Sequence, residues 1–135
     1  MFSLSVSRIE CKALVRAKGE VKVDLYRHLA PVTVTAILTE LPINGRVTVY
    51  PRAMVCLLTG IKAGVEKPRH EFSKGDVAFL AATGSVCFFL SSATSKAPLN
   101  PLGKVDGDLA VLERVSVGDS MEFVQVREVS EGAQT

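Results

Sequence analysis

In the segment RIECKALVR, residues 8–16, Ile9, Cys11, Ala13 and Val15 alternate with Arg8, Glu10, Lys12, Leu14 and Arg16, the two-residue period of a half-buried strand. Ala17-Lys18-Gly19 supplies a turn, and Val21, Val23 and Leu25 then alternate with Lys22 and Asp24. Residues 4–25 therefore predict one antiparallel hairpin. The stretch HLAPVTVTAILTELP sets two signals against each other. Val-Thr-Val-Thr favours a strand, while Val34, Ile37, Leu38 and Leu41 recur at helical spacing. Pro31 suits a first helical turn and Pro42 closes the element from outside, so the prediction is a helix.

Residues 46–60 carry the apolar run MVCLL between Gly45 and Gly60, which reads as a strand buried on both faces or a strand bent by Pro51. A polar excursion extends to Lys74. Gly75-Asp76, Gly107-Asp108 and Gly118-Asp119 each precede an apolar run and mark turns. Strands are predicted over 77–82 and 85–90, then a plain Ser/Thr connecting loop over 91–97 and a segment ending in LGKV. A short helix around Leu109–Arg114 and a last strand, SMEFVQVRE, complete the chain. Many short strands with two modest helices predict a mainly β protein closed into a barrel, because closure removes exposed edges. One domain is expected over residues 1–128, with 129–135 as a flexible tail.

Composition narrows the classes. A chain of 135 residues with 47% hydrophobic and 22% charged residues can bury its own core. No run approaches the ~20 apolar residues of a membrane span, and Arg8 and Glu10 interrupt the start before any signal-peptide core forms. A cytoplasmic protein away from membranes is expected. The net charge is only +2, and the four Lys/Arg between Lys62 and Lys74 are offset by Glu66 and Glu71, too little for a nucleic-acid groove. Cys11, Cys56 and Cys87 show neither a Cys-x-x-Cys pair nor zinc spacing, so each is expected as a buried reduced thiol, with no metal and no cofactor.

The succession of hairpin, helix opened by APVTVTAIL, buried strand, GDVAFL, CFFL and PLGKVDGDLAVLERVSVGDSMEF resembles the cyclophilin fold over residues 8–127. It is most similar to the small prokaryotic cyclophilin-like proteins of unknown function. The resemblance implies a closed eight-stranded antiparallel β-barrel with two short helices, one at each end, and a proline-peptide groove on its outer face. It also implies a candidate prolyl isomerase, which must lower the ~18–20 kcal/mol barrier to amide rotation. In cyclophilins an arginine hydrogen-bonds the substrate beside an apolar pocket, and here that arginine corresponds to Arg52 in Tyr50-Pro51-Arg52. The glutamine of the family's Ser-Gln-Phe-Phe strand is lost from Ser85-Val86-Cys87-Phe88-Phe89. The family's histidine falls near Leu99, and its tryptophan has no counterpart.

Residues two apart in a strand share a face, so the groove receives either Val86 and Phe88 or Cys87 and Phe89. Phe79, Phe88 and Phe89 read first as barrel core, with at most one of Phe88 and Phe89 turned outward. Arg52 is a candidate to orient a carbonyl or carboxylate through its planar donors. His28 and His70 lack the context of a base or ligand and are expected as exposed structural histidines. The expected function is a barrel binding a peptide end or small molecule between Arg52, Met54, Phe88, Phe89 and Leu99, without required catalysis. The alternative is a weak prolyl isomerase in which Arg52 is the catalytic residue. Self-association as a homodimer is compatible with both.

Overall fold

The computed structural model of the chain describes residues 5–132. Nine strands and two helices occur among them: β1 (Ser5–Val15), β2 (Gly19–Tyr26), α1 (Pro31–Glu40), β3 (Ile43–Tyr50), β4 (Met54–Leu58), β5 (Arg69–Phe72), β6 (Asp76–Leu80), β7 (Ser85–Phe89), β8 (Ala93–Asp106), α2 (Ala110–Glu113) and β9 (Ser120–Gly132). All pairings are antiparallel, and eight strands run in the order β2-β1-β9-β3-β4-β7-β6-β8 before β8 pairs back onto β2. The ninth strand, β5, is attached to β8 outside this ring.

Closure depends on a close backbone approach. In the β2–β8 seam Leu25 lies opposite Gly103, and a Cβ on Gly103 would stand 1.8 Å from the Asp24 carbonyl oxygen. Glycine alone fits there, which gives the Gly-Lys-Val segment its physical role. Pro101 cannot donate to a ladder, and it sits where the β6–β8 register shifts, so Leu102 bulges between Pro101 and Gly103.

The ring is filled by alternating aliphatic and aromatic side chains, among them Ile9, Val23, Leu25, Val55, Leu57, Phe79, Val86, Phe88, Leu102, Met121 and Phe123. Phe88 meets Phe123 edge to face, with ring centroids 6.3 Å apart. Helix α1 follows β2 at one end of the ring and buries Thr33, Val34 and Ile37, while α2 follows β8 at the other end and buries Leu112. The conflict over VTVT thus resolves as a helix. Its first turn has no cap from its own sequence. Instead the Glu66 carboxylate, brought in by the loop before β5, accepts from Val32 N–H at 3.2 Å, Thr33 N–H at 2.6 Å and the Thr33 hydroxyl at 2.8 Å.

Four expectations are corrected. The segment 46–60 is a hairpin, because Pro51 and Arg52 occupy the centre of a turn closed by Ala53 N–H donating to the Tyr50 carbonyl at 2.9 Å. The polar excursion contains β5, and the Ser/Thr loop becomes the first part of β8, since each supplies the other's ladder partners. Residues 129–132 are the end of β9, paired to β1 as far as Ser5 opposite Gly132, rather than a tail. The rest of the expected tail, 133–135, and the first residue of the expected hairpin, Leu4, lie outside the described residues. Among the described residues no helix is long and apolar enough to cross a membrane.

Candidate functional site

Strand alternation across β4 and β7 sorts the candidate residues. Val55, Leu57, Val86 and Phe88 point into the ring, so Phe88, expected as an alternative groove residue, belongs to the interior core. Met54, Cys56, Cys87 and Phe89 point outward, and Ala78 of β6 lies beside Cys87 on the same face. A bare barrel would leave this face to water. Here the first half of β8 and the short β5 fold over it, carrying Leu99, Ala93 and Phe72.

The result is a second, smaller apolar cluster outside the ring: Cys56, Phe72, Ala78, Cys87, Phe89 and Leu99 are buried, with Met54, Leu80 and Ala93 packed around them. Phe72 and Phe89 stack at a centroid distance of 4.7 Å and an interplanar angle of 10°. Met54 and Phe89 face each other across the β4–β7 ladder. The structure therefore brings together Met54, Phe89 and Leu99. Phe72 and the Cys56–Cys87 neighbourhood were missed in the sequence, where Phe72 is a lone apolar residue in a charged tetrapeptide and the two cysteines stand 31 positions apart.

Arg52 stands at the end of this face. Its side chain is exposed, and its φ of +64° is a left-handed conformation that a non-glycine residue adopts at a cost. The Arg52 carbonyl accepts from the Ser91 hydroxyl at 2.7 Å, which ties the β3–β4 turn to the start of β8. Next to Ser91, a surface cavity of about 530 Å³ is lined by Glu71, Phe72, Ser73, Ser92, Ala93 and Thr94. Its lining combines the hydroxyl groups of Ser73, Ser92 and Thr94 and the Glu71 side chain with Phe72 and Ala93.

A second cavity of similar size, about 540 Å³, lies elsewhere on the ring between β1, β3 and β9 and is lined by Arg16, Arg46, Glu122 and neighbours. Arg46 there already donates to the Gly118 carbonyl at 2.9 Å. Leu14, Val15 and Met121 line it beside these charged residues, without an aromatic side chain. His28 packs edge-on against Tyr26, and His70 Nδ1 lies 3.0 Å from the Ser95 carbonyl oxygen, so both exposed histidines have local structural partners. No group of three or more His, Cys, Asp or Glu side chains converges in a metal-binding arrangement among the described residues.

The behaviour of the three buried thiols differs. Burial pushes Cys11 up to about 12, with Asp24 adding to the effect, so it is a neutral core residue. Cys56 and Cys87 instead have their sulfur atoms 3.1 Å apart. The sulfur–sulfur hydrogen bond between them lowers the pKa of Cys56, whereas the same bond and deep burial push Cys87 up.

Comparison with known proteins agrees with this architecture. A family model described as Cyclophilin-like matches residues 9–125. The solution structure of the hypothetical protein AF2241 from Archaeoglobus fulgidus is similar, with a TM-score of 0.76 and 21% identity over 88% of this chain and 95% of that one. No curated protein matches the chain.

Proposed function

The chain belongs to the cyclophilin-like family, and from that premise we propose that it is a ligand-binding barrel that holds a carboxylate-ended apolar peptide or small molecule on its outer face. The observation that carries this reading is the apolar cluster outside the ring, covered by the short β5 and the first half of β8 and adjoining an open cavity at Phe72. Apolar walls with a few convergent polar groups are the usual make-up of a small-ligand site. Phe72 and Ala93 supply the apolar part of the cavity, Glu71, Ser73, Ser92 and Thr94 its polar part, with Met54, Phe89 and Leu99 in the apolar cluster behind Phe72, and Arg52 on the adjoining turn is the proposed cation for a carboxylate.

The same geometry argues against efficient isomerisation. Lowering a barrier of ~18–20 kcal/mol requires a donor fixed over the amide beside an empty pocket for the proline ring. Arg52 lies on an exposed turn, Phe88 is inside the ring, and Phe72 fills the apolar space over Phe89. Binding is the function such a face supports. Titration of short apolar peptides with free carboxyl ends, followed by calorimetry, tests the reading. Saturable binding that weakens in Arg52→Ala and in Phe89→Ala is expected, while the same affinity in both variants would place the site elsewhere. A protease-coupled assay of a proline tetrapeptide serves as the second arm. A rate equal to the blank fits the proposal, and rapid turnover abolished by Arg52→Ala would replace it with the isomerase reading.

A further inference from the structure

Cys56 and Cys87 are direct partners across the β4–β7 ladder. Leu90 N–H donates to the carbonyl of its opposite residue Ala53 at 2.7 Å, and Thr59 N–H to that of Gly84 at 2.9 Å. Hydrogen-bonded and non-hydrogen-bonded pairs alternate along an antiparallel ladder, so the Cys56–Cys87 pair, an odd number of steps from each, is non-hydrogen-bonded. At such pairs the Cα atoms approach to ~4.5 Å, within the range that a disulfide spans without backbone movement. The sulfur atoms are already 3.1 Å apart. A bond of ~2.05 Å needs each sulfur to move by only about half an ångström.

The surroundings fit reaction as well as packing. Cys56 is 7% exposed and Cys87 0%, so a reagent reaches the pair through Cys56. Met54 and Phe72 belong to the same apolar cluster, and the residue opposite Cys87 on β6 is the small Ala78. The cover over this face is β5 with the first half of β8; β5 is four residues long and joined to β8 through an irregular register, and it opens at less cost than the ring itself. Cys11, inside the ring, has no such partner and stays out of the chemistry.

We propose that Cys56 and Cys87 form a reversible two-electron oxidation site for small hydroperoxides, Cys56 being the attacking and Cys87 the resolving thiol. The Cys56 thiolate attacks the terminal peroxide oxygen, the O–O bond breaks, and Cys56 becomes a sulfenic acid as hydroxide leaves. Cys87 then attacks the Cys56 sulfur, forming the disulfide. Its proton and the sulfenic hydroxyl leave as water. Summed over both steps, two thiols and one hydrogen peroxide give one disulfide and two waters. A dithiol restores the reduced pair. The lowered pKa of Cys56 relative to Cys87 supports the order of attack. The inference concerns this thiol pair alone and stands whether or not the outer face binds a ligand.

The test treats the native, reduced protein with hydrogen peroxide, denatures it, alkylates the free thiols and maps peptides by mass spectrometry. One alkylated thiol, Cys11, with a Cys56–Cys87 cross-linked peptide that dithiothreitol reverses, is the expected result, together with a melting temperature raised by several degrees. In Cys87→Ser, dimedone should label Cys56, and in Cys56→Ser it should label neither remaining cysteine. Three free thiols after treatment, a bond involving Cys11, or only intermolecular cross-links would overturn the proposal. The wild-type mapping decides the matter even where a serine variant folds poorly.

Discussion

Arg52 occupies the position of its turn where φ is +64°, a place glycine fills at lower cost. Arg52→Gly should therefore leave the fold as stable or stabilise it by up to about 1 kcal/mol, read by denaturant unfolding. Carboxylate binding should weaken roughly tenfold or more, since a hydrogen bond to a charged group contributes about 1.5–3 kcal/mol. Equal loss of stability and binding would mark Arg52 as a structural residue. Phe88 and Phe89 separate the two apolar regions in the same way. Phe88→Ala removes a ring from the interior and should cost about 3–5 kcal/mol. Phe89→Ala empties only the outer cluster, where β5 can settle inward, and should cost about half as much. At this scale the sequence was informative up to a point. Strand alternation required adjacent Phe88 and Phe89 to face opposite ways, but which one faced outward depended on the register with β4, which a single strand does not carry.

Among the elements, the hairpin β1–β2 was legible from its alternation, and helix α1 because apolar spacing and the flanking prolines outweighed the strand propensity of VTVT. β5 was not. Arg69-His70-Glu71-Phe72 has one apolar residue and no alternation long enough to detect, and it is a strand only because the first part of β8 supplies its partners. The same pairing turned an apparent Ser/Thr loop into ladder, and with it the wall of the site stayed hidden. The loop before β5 has a second task at α1, where Glu66 caps the first turn. Burial works against its charge, but the hydroxyl and backbone donors of Thr33 and Val32 prevail and hold the carboxyl below its ordinary value of 4.5. A carboxyl lowered in the folded state contributes stability that is complete above the unfolded pKa and is lost as the pH falls through the folded one. Glu66→Gln should thus melt below the wild type at neutral pH, by a gap that narrows as the pH drops beneath the ordinary carboxylate range. A gap independent of pH would show that the charge contributes nothing.

For the whole molecule, closure of the ring was readable from the succession of short strands, and the resemblance placed its eight-strand count before any pairing was known. The sequence could not show that closure rests on Gly103, because the close approach of Asp24 comes from a strand nearly eighty residues earlier. Gly103→Ala should destabilise the barrel by about 3 kcal/mol or more, with loss of cooperative unfolding as the sign that the seam has opened. A variant that unfolds like the wild type would show that the seam can relax. The closed ring also bears on the proposed site: with the interior filled by side chains, a ligand would be left the outer surface. The measurement that bears on this most directly is a nitrogen–proton correlation spectrum recorded during titration with a carboxylate-ended apolar peptide. Shifts confined to Arg52, Met54, Phe72, Phe89, Ser92 and Thr94 are expected. Shifts gathered instead around Arg16, Arg46 and Met121, or none at a saturating concentration, would contradict a ligand site on the outer face.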